Sequence, residues 1–285
     1  MERLAAVEHI RPMRGGAQSH LLRASDGHFY VVKFQNNPQH RRVLANELLA
    51  ARLAHFLELP APPCALIDSR PLADAPELVV RSGGRTLPCA PGLQFGSRLP
   101  TANSQLPIYD FLPDPGLELV ANLRDFAGML AFDKWTCNCN GRQVVFCRPR
   151  PRLPLQVFMI DQGFCFNAGD WNFPDSPLRG VYGRNIVYQG VTGWDAFQPW
   201  LEKIESLPAA ALEAAAEEIP PEWYGDSADL ETLLRQLYLR RARVRELIEA
   251  VRRSARAPFP AWREPAVPAG SQQRPGKSKT EASSA

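Results

Sequence analysis

Asp133-Lys134-Trp135-Thr136-Cys137-Asn138 and, further along, Phe158-Met159-Ile160-Asp161-Gln162-Gly163 are the two stretches that decide how this chain is read. An acid with an asparagine five positions later, then a second acid closing an apolar run, supplies a proton acceptor and two oxygen ligands. That is the set magnesium and a hydroxyl acceptor need around a nucleotide's terminal phosphate.

Upstream lie the other parts of such a site. Arg14-Gly15-Gly16-Ala17-Gln18-Ser19 sits between two strand-like runs, and its glycine pair lets backbone N–H groups face phosphate oxygens. Phe29-Tyr30-Val31-Val32-Lys33-Phe34 is a β-branched and aromatic run ending near Lys33. A strand lysine of this kind reaches the α- and β-phosphates and is held by a glutamate from the next helix. Glu47 is that glutamate: in residues 43 to 53, Leu44, Leu48 and Ala51 share a helical face and Glu47 stands at its edge. The order of parts is glycine loop, Lys33, Glu47, Asp133 with Asn138, then Asp161.

At these residues the chain resembles the HipA-like kinases and, more distantly, the phosphoinositide lipid kinases. Gly16-Ala17-Gln18 followed by Leu21-Leu22 is similar to the HipA phosphate loop, and Met159-Ile160-Asp161-Gln162-Gly163 resembles the metal-binding Ile-Asp-Phe-Gly of the lipid kinases. The resemblance covers roughly residues 5 to 190. It implies an α+β, two-lobed protein-kinase-like fold, with ATP and Mg2+ as cofactors and a hydroxyl-bearing acceptor, a protein serine or threonine or a small molecule. Asp133, Lys33 and Glu47 are the expected catalytic residues. Gly15, Gly16, Ala17, Gln18 and Lys33 are expected to bind the nucleotide, and Asn138 and Asp161 the metal.

The chain departs from the family loop, which usually reads Asp-Gly-His or Asp-Arg-His and then Asn, because Lys134 and Trp135 follow Asp133. A second register places Asn140-Gly141-Arg142 there instead. Asparagine does not accept a proton as a carboxylate does, so that register describes a nucleotide-binding pseudokinase. The first register is preferred because it alone supplies Asp and Asn five apart.

Segment by segment, residues 1 to 98 are expected to form a β-rich N-lobe, with strands near 29 to 34, 63 to 68, 77 to 81 and 92 to 98 around a helix at 41 to 58. Gly96, Pro100, Pro107 and Pro113 punctuate a hinge, with the backbone of Leu93 to Ser97 as the adenine reader. Residues 99 to 254 form the mainly helical C-lobe: a helix over 117 to 132 leads into Asp133, strands cover 143 to 147 and 156 to 160, and one amphipathic helix runs from 230 to 251 with arginines on its outer face. A Pro-, Ser- and Lys-rich tail over 255 to 285 is expected to be disordered.

The 285 residues suffice for two substantial cores, and no apolar run approaches the roughly 20 residues of a membrane span. Seven basic and two acidic residues at 252 to 285 account for more than the formal charge of +3, so the body of the chain is slightly acidic and a nucleic-acid role is unsupported. The six cysteines lack zinc-ribbon spacing and suit a reduced compartment. With an early acid and no apolar core at Met1 to Glu8, a cytoplasmic location is expected. An interaction protein docking acidic partners through the arginine-faced helix and basic tail is the remaining alternative.

Overall fold

The computed structural model describes residues 3–263. The expected tail from 264 onward lies outside them. Five strands close a barrel in the order β1-β2-β3-β7-β4: β1 Arg3–Pro12, β2 His20–Ala24, β3 Phe29–Lys33, β4 Cys64–Asp68 and β7 Leu93–Arg98. A hairpin, β5 Val79–Ser82 with β6 Arg85–Pro88, stands between β4 and β7 in the chain. Only β1 and β4 run parallel, pairing Arg3 with Leu66; the other barrel neighbours are antiparallel. Alternation carries Leu4 and Ala6, Leu22 and Ala24, Tyr30 and Val32, and Ala65 and Ile67 into the barrel core. Gly96 faces this core. A Cβ there would come within 2.5 Å of Ile67 Cγ1, so the wall at β7 requires a residue without a side chain.

Helix α1, Val43–Phe56, follows β3 as the sequence pattern predicts. Eleven of its fourteen residues are buried, Asn46 and Glu47 among them, because it is apolar nearly all round and has protein on every side. Its apolar residues join Leu66, Phe95, Met129, Leu130, Trp135 and the later helices in one continuous cluster. The packed core therefore crosses position 98.

Beyond the barrel, β8 Ile108–Tyr109, β9 Gln143–Cys147 and β10 Gln156–Ile160 make a three-stranded antiparallel sheet in the order β10-β9-β8. The helices are α2 Asp114–Leu117, α3 Asp125–Trp135, α4 Trp200–Glu205, α5 Ala209–Ala216, α6 Ser227–Arg240 and α7 Val244–Arg252. Two expectations change here. The helix predicted over 117 to 132 starts eight residues later and runs on through Trp135, so Asp133 belongs to its last turn rather than to a loop after it. The single C-terminal helix is two, broken by a tight turn at Arg241–Arg243.

At this break α6 docks on the end of α3. The buried Arg240 guanidinium donates from Nε to Trp135 O (2.9 Å) and from Nη2 to Lys134 O (3.0 Å), capping the exposed carbonyls that end α3. Trp135 Nε1 returns a bond to Leu237 O at 2.9 Å. Arginines of the expected face form ion pairs at the surface: Arg245 with Glu205, Arg243 with Asp175 and Glu246, and Arg253 with Glu249. Residues 255–263, assigned to the tail from composition, instead lay buried Phe259 against Tyr188 and Phe197, because two aromatic side chains, Phe259 and Trp262, sit among the prolines. Among the described residues no helix is long and apolar enough to cross a membrane.

Helices α3 and α4 touch at Gly128, where an added Cβ would stand 2.3 Å from Trp200 Cδ2. Gly128→Ala is expected to destabilise the fold by about 1–3 kcal/mol through overpacking. Urea denaturation checks this, and an unchanged midpoint would show that the indole moves aside freely.

Candidate active site

Lys33 ends β3 and points inward, where its ammonium is almost fully buried. It donates at once to Glu47 Oε1 on α1 and to Asp161 Oδ1, the first residue after β10. Burial works against its charge, but the two carboxylates outweigh it and raise the Lys33 pKa above its ordinary value. Burial likewise opposes the Asp161 charge, and Lys33 with Arg142 reverses the effect, so its carboxyl lies below the usual range. For Glu47 burial pushes the carboxyl up against the pull of Lys33.

Glu47 does more than hold the lysine. Its Oε2 accepts the N–H of Gln162 (3.0 Å) and its Oε1 that of Gly163 (2.9 Å), so one carboxylate fixes both the lysine and the turn carrying Asp161. That turn is tight: Asp161 has φ +58°, and a Cβ at Gly163 would lie 2.6 Å from Val43 Cγ2. The neighbouring Asn46 shares its amide hydrogens among the carbonyls of Gly163 (2.8 Å), Cys165 (3.0 Å) and Ala168 (2.7 Å), and its Oδ1 accepts from Trp171 Nε1 (2.7 Å). Sequence reading passed over Asn46, although an amide inside an apolar helical run is itself a sign that a buried polar partner is waiting.

Above these groups opens a cleft of about 450 Å3, within the range of small-ligand sites. Gly15, Gly16 and Ala17 line it from the β1–β2 connection, with Lys33, Glu47 and Asp161 as its charged floor and Val31, Phe95, Leu99, Ile108, Val145 and Ile160 as apolar walls. Gly15 adopts φ +114°, which only glycine takes without strain. Gln18, expected from sequence to bind the nucleotide, does not line the cleft. Its amide forms two hydrogen bonds with the Arg81 backbone, donating at 2.8 Å and accepting at 2.6 Å, and so ties the loop to the β5–β6 hairpin. The adenine reader is also misplaced, because β7 is paired along both edges, to β3 and β4, and its main-chain groups are committed there.

Asp133 and Asn138 are the larger correction. Neither lines the cleft; both line a separate cavity of about 120 Å3. Because α3 continues past Asp133, its carboxylate is fully buried and clasped by Arg142, Nε to Oδ2 at 2.8 Å and Nη2 to Oδ1. Asn138 Nδ2 donates to the same Oδ1 at 3.0 Å. The hydrogen bonds of both side chains go to neighbours outside the Lys33–Glu47–Asp161 cluster: Asp133 to Arg142 and Asn138, and Asn138 to Asp133 and the Asn140 backbone. The pair acts one layer down: Arg142 Nη1 reaches Ile160 O (3.1 Å) and Gln162 Oε1 (2.9 Å), propping the Asp161 turn from beneath. Asn138 Oδ1 accepts the Asn140 N–H at 3.1 Å, and it is Asn140, from the second register, that lines the cleft.

A family model described as HipA-like kinase matches residues 7–143, which hold the glycine loop, Lys33, Glu47 and Asn140. Over those residues the chain is similar to the HipA-like kinases. Solved kinases share the fold at low identity. The Helicobacter pylori proinflammatory kinase CtkA aligns with TM-score 0.56 at 13% identity, over 88% of this chain and 98% of that one. Hydra Fam20 aligns with TM-score 0.54 at 13% identity, over 87% and 86%. The Golgi casein kinase gives 0.50 at 13% identity, over 88% and 74%. No curated protein matches in sequence. The fold of the chain is kinase-like.

The enclosed pair sets a test. Arg142→Ala strands the Asp133 carboxylate in the interior and is expected to cost about 3–5 kcal/mol of stability, against a small effect for a solvent-exposed pair. Chemical denaturation reads the difference, and a loss below about 1 kcal/mol would mean that Asp133 is reachable by water.

Proposed function

We propose that this protein binds ATP with a divalent cation in the cleft beneath the Gly15–Ala17 loop and passes the γ-phosphoryl group to a hydroxyl acceptor, the barrel with α1 and the helical remainder acting as two lobes around it. The observation carrying this reading is Lys33 joined to both Glu47 and Asp161 at the cleft floor. That triad combines a phosphate-binding cation, the group that positions it and a carboxylate for the metal.

The donor set fits a cation that arrives with the nucleotide. Among the described residues no cluster of three His, Cys, Asp or Glu side chains is suited to hold a metal by itself. Magnesium usually takes one or two carboxylates and completes its shell with phosphate oxygens and water, so Asp161 with the nucleotide suffices. The cation would neutralise charge developing on the transferred group.

In the transfer, the acceptor oxygen forms a bond to the γ-phosphorus as the bridging bond to ADP breaks, and the hydroxyl proton leaves to water or to a phosphoryl oxygen. Lys33 neutralises the non-reacting phosphates, and the Gly15 and Gly16 backbone holds them in line. Asn140 orients the acceptor without taking its proton. Phosphoryl transfer is dominated by positioning and charge stabilisation, so an amide at this position in place of a carboxylate slows it rather than forbids it. A second reading, nucleotide binding without transfer, is favoured by the same Asn140. The acceptor would be a protein serine or threonine or a small alcohol.

Thermal shift with ATP and Mg2+, paired with transfer of labelled γ-phosphate, tests both readings. Wild type is expected to be stabilised by ATP only with the cation, and Asp161→Asn to lose that shift. Asn140→Asp should raise transfer by about 10²–10⁴-fold, the usual worth of a positioned base. No shift in wild type discards the nucleotide site, whereas a shift with no transfer in either protein selects the second reading.

A further inference from the structure

The turn Asn37-Pro38-Gln39-His40 links the glycine loop to the turn carrying Asp161. Asn37 Nδ2 donates to Ala17 O at 2.8 Å, and its Oδ1 accepts the Gln39 N–H at 2.9 Å. At the other end His40 Nε2 donates to Gly163 O at 2.9 Å. The lid of the cleft and the turn bearing its metal-side carboxylate are thus fastened to one four-residue strap.

Gln39 projects from the middle of that strap and lines the cleft, its Nε2 placed 3.5 Å from where a Cβ on Gly16 would stand. Its Oε1 is buried and has no hydrogen-bond partner among the described residues. Buried amide oxygens in native proteins are nearly always paired, and an exception at a binding cleft calls for a reason. The other buried acceptor without a partner, His40 Nδ1, packs near Gly169 and Phe164 and does not line the cleft. Turning the Gln39 amide by half a revolution exchanges oxygen and nitrogen. Its free position can therefore serve a phosphate oxygen as donor or a metal-bound water as acceptor.

We propose that Gln39 contacts the terminal phosphate group of the bound nucleotide, a role resting on the reading that the cleft takes ATP with a divalent cation. The strap joins the glycine loop at Ala17 to the turn at Gly163, the two elements that the ATP reading sets about the outermost phosphate, with Lys33 on the floor toward the inner ones. Gln39 therefore distinguishes ATP from ADP, which lacks that group.

Gln39→Met keeps the length and removes both hydrogen-bonding atoms, and calorimetric titration with ATP and with ADP, each with Mg2+, reads the outcome. The variant is expected to weaken ATP about tenfold and to leave ADP within about twofold. Its ligand-free melting temperature should be equal or higher, because an unpaired buried polar atom has gone. Three results overturn the proposal: ATP affinity unchanged, both nucleotides weakened equally, or a ligand-free melting temperature lowered by several degrees, which would mark a side chain that only supports the fold. Wild type that binds neither nucleotide removes the cleft reading and this one together. Wild type that binds both, with the variant indistinguishable, removes this one alone.

Discussion

A single buried carboxylate, that of Glu47, ties the molecule together. It meets the Lys33 ammonium from the barrel and two backbone N–H groups from the turn after β10, so three parts of the chain converge on two oxygen atoms. Removing an ion from water costs several kcal/mol, which is recovered only when every lone pair finds a partner in good geometry. Any shift of α1 relative to the barrel or to the Asp161 turn would leave a buried charge uncompensated. The cleft is therefore assembled by the same constraint that positions the helix, and Asn46, one residue before, extends the hold to the carbonyls of Gly163, Cys165 and Ala168.

Beneath this layer is a second, built from Asp133, Asn138 and Arg142. It works as a support: Arg142 joins the last turn of α3 to the carbonyl of Ile160 and the amide of Gln162, on either side of Asp161. Burial puts Arg142 at a disadvantage as an ion, yet the Asp133 charge and hydrogen bonds outweigh it and raise the Arg142 pKa above its ordinary value. The group exposed to the cleft at this point is an amide, Asn140. Charge that would do proton chemistry at the surface is spent on rigidity one layer down.

The barrel strands and helix α1 were legible because alternation and helical spacing report burial directly, and the Lys33 to Glu47 pairing followed from their positions on a strand end and a helix edge. Asp133 misled because the motif was read as a loop. The helix ends where Arg240, from a segment 106 residues away, caps the carbonyls of Lys134 and Trp135, and no local signal announces a cap donated from such a distance. Gln18 misled for a related reason: a loop amide beside two glycines suits a phosphate contact, but the Arg81 backbone arrives from the hairpin and takes both its hydrogen bonds.

Sequence by itself determined the kinds of element, their order and the pairing of a strand lysine with a helix glutamate, because these depend on side-chain periodicity and on neighbours along the chain. Only the tertiary structure decided which carboxylates meet the cleft and which are sealed by arginine. Access to solvent is set by where a helix stops and which distant side chain satisfies its end, and both are properties of packing between segments remote in sequence.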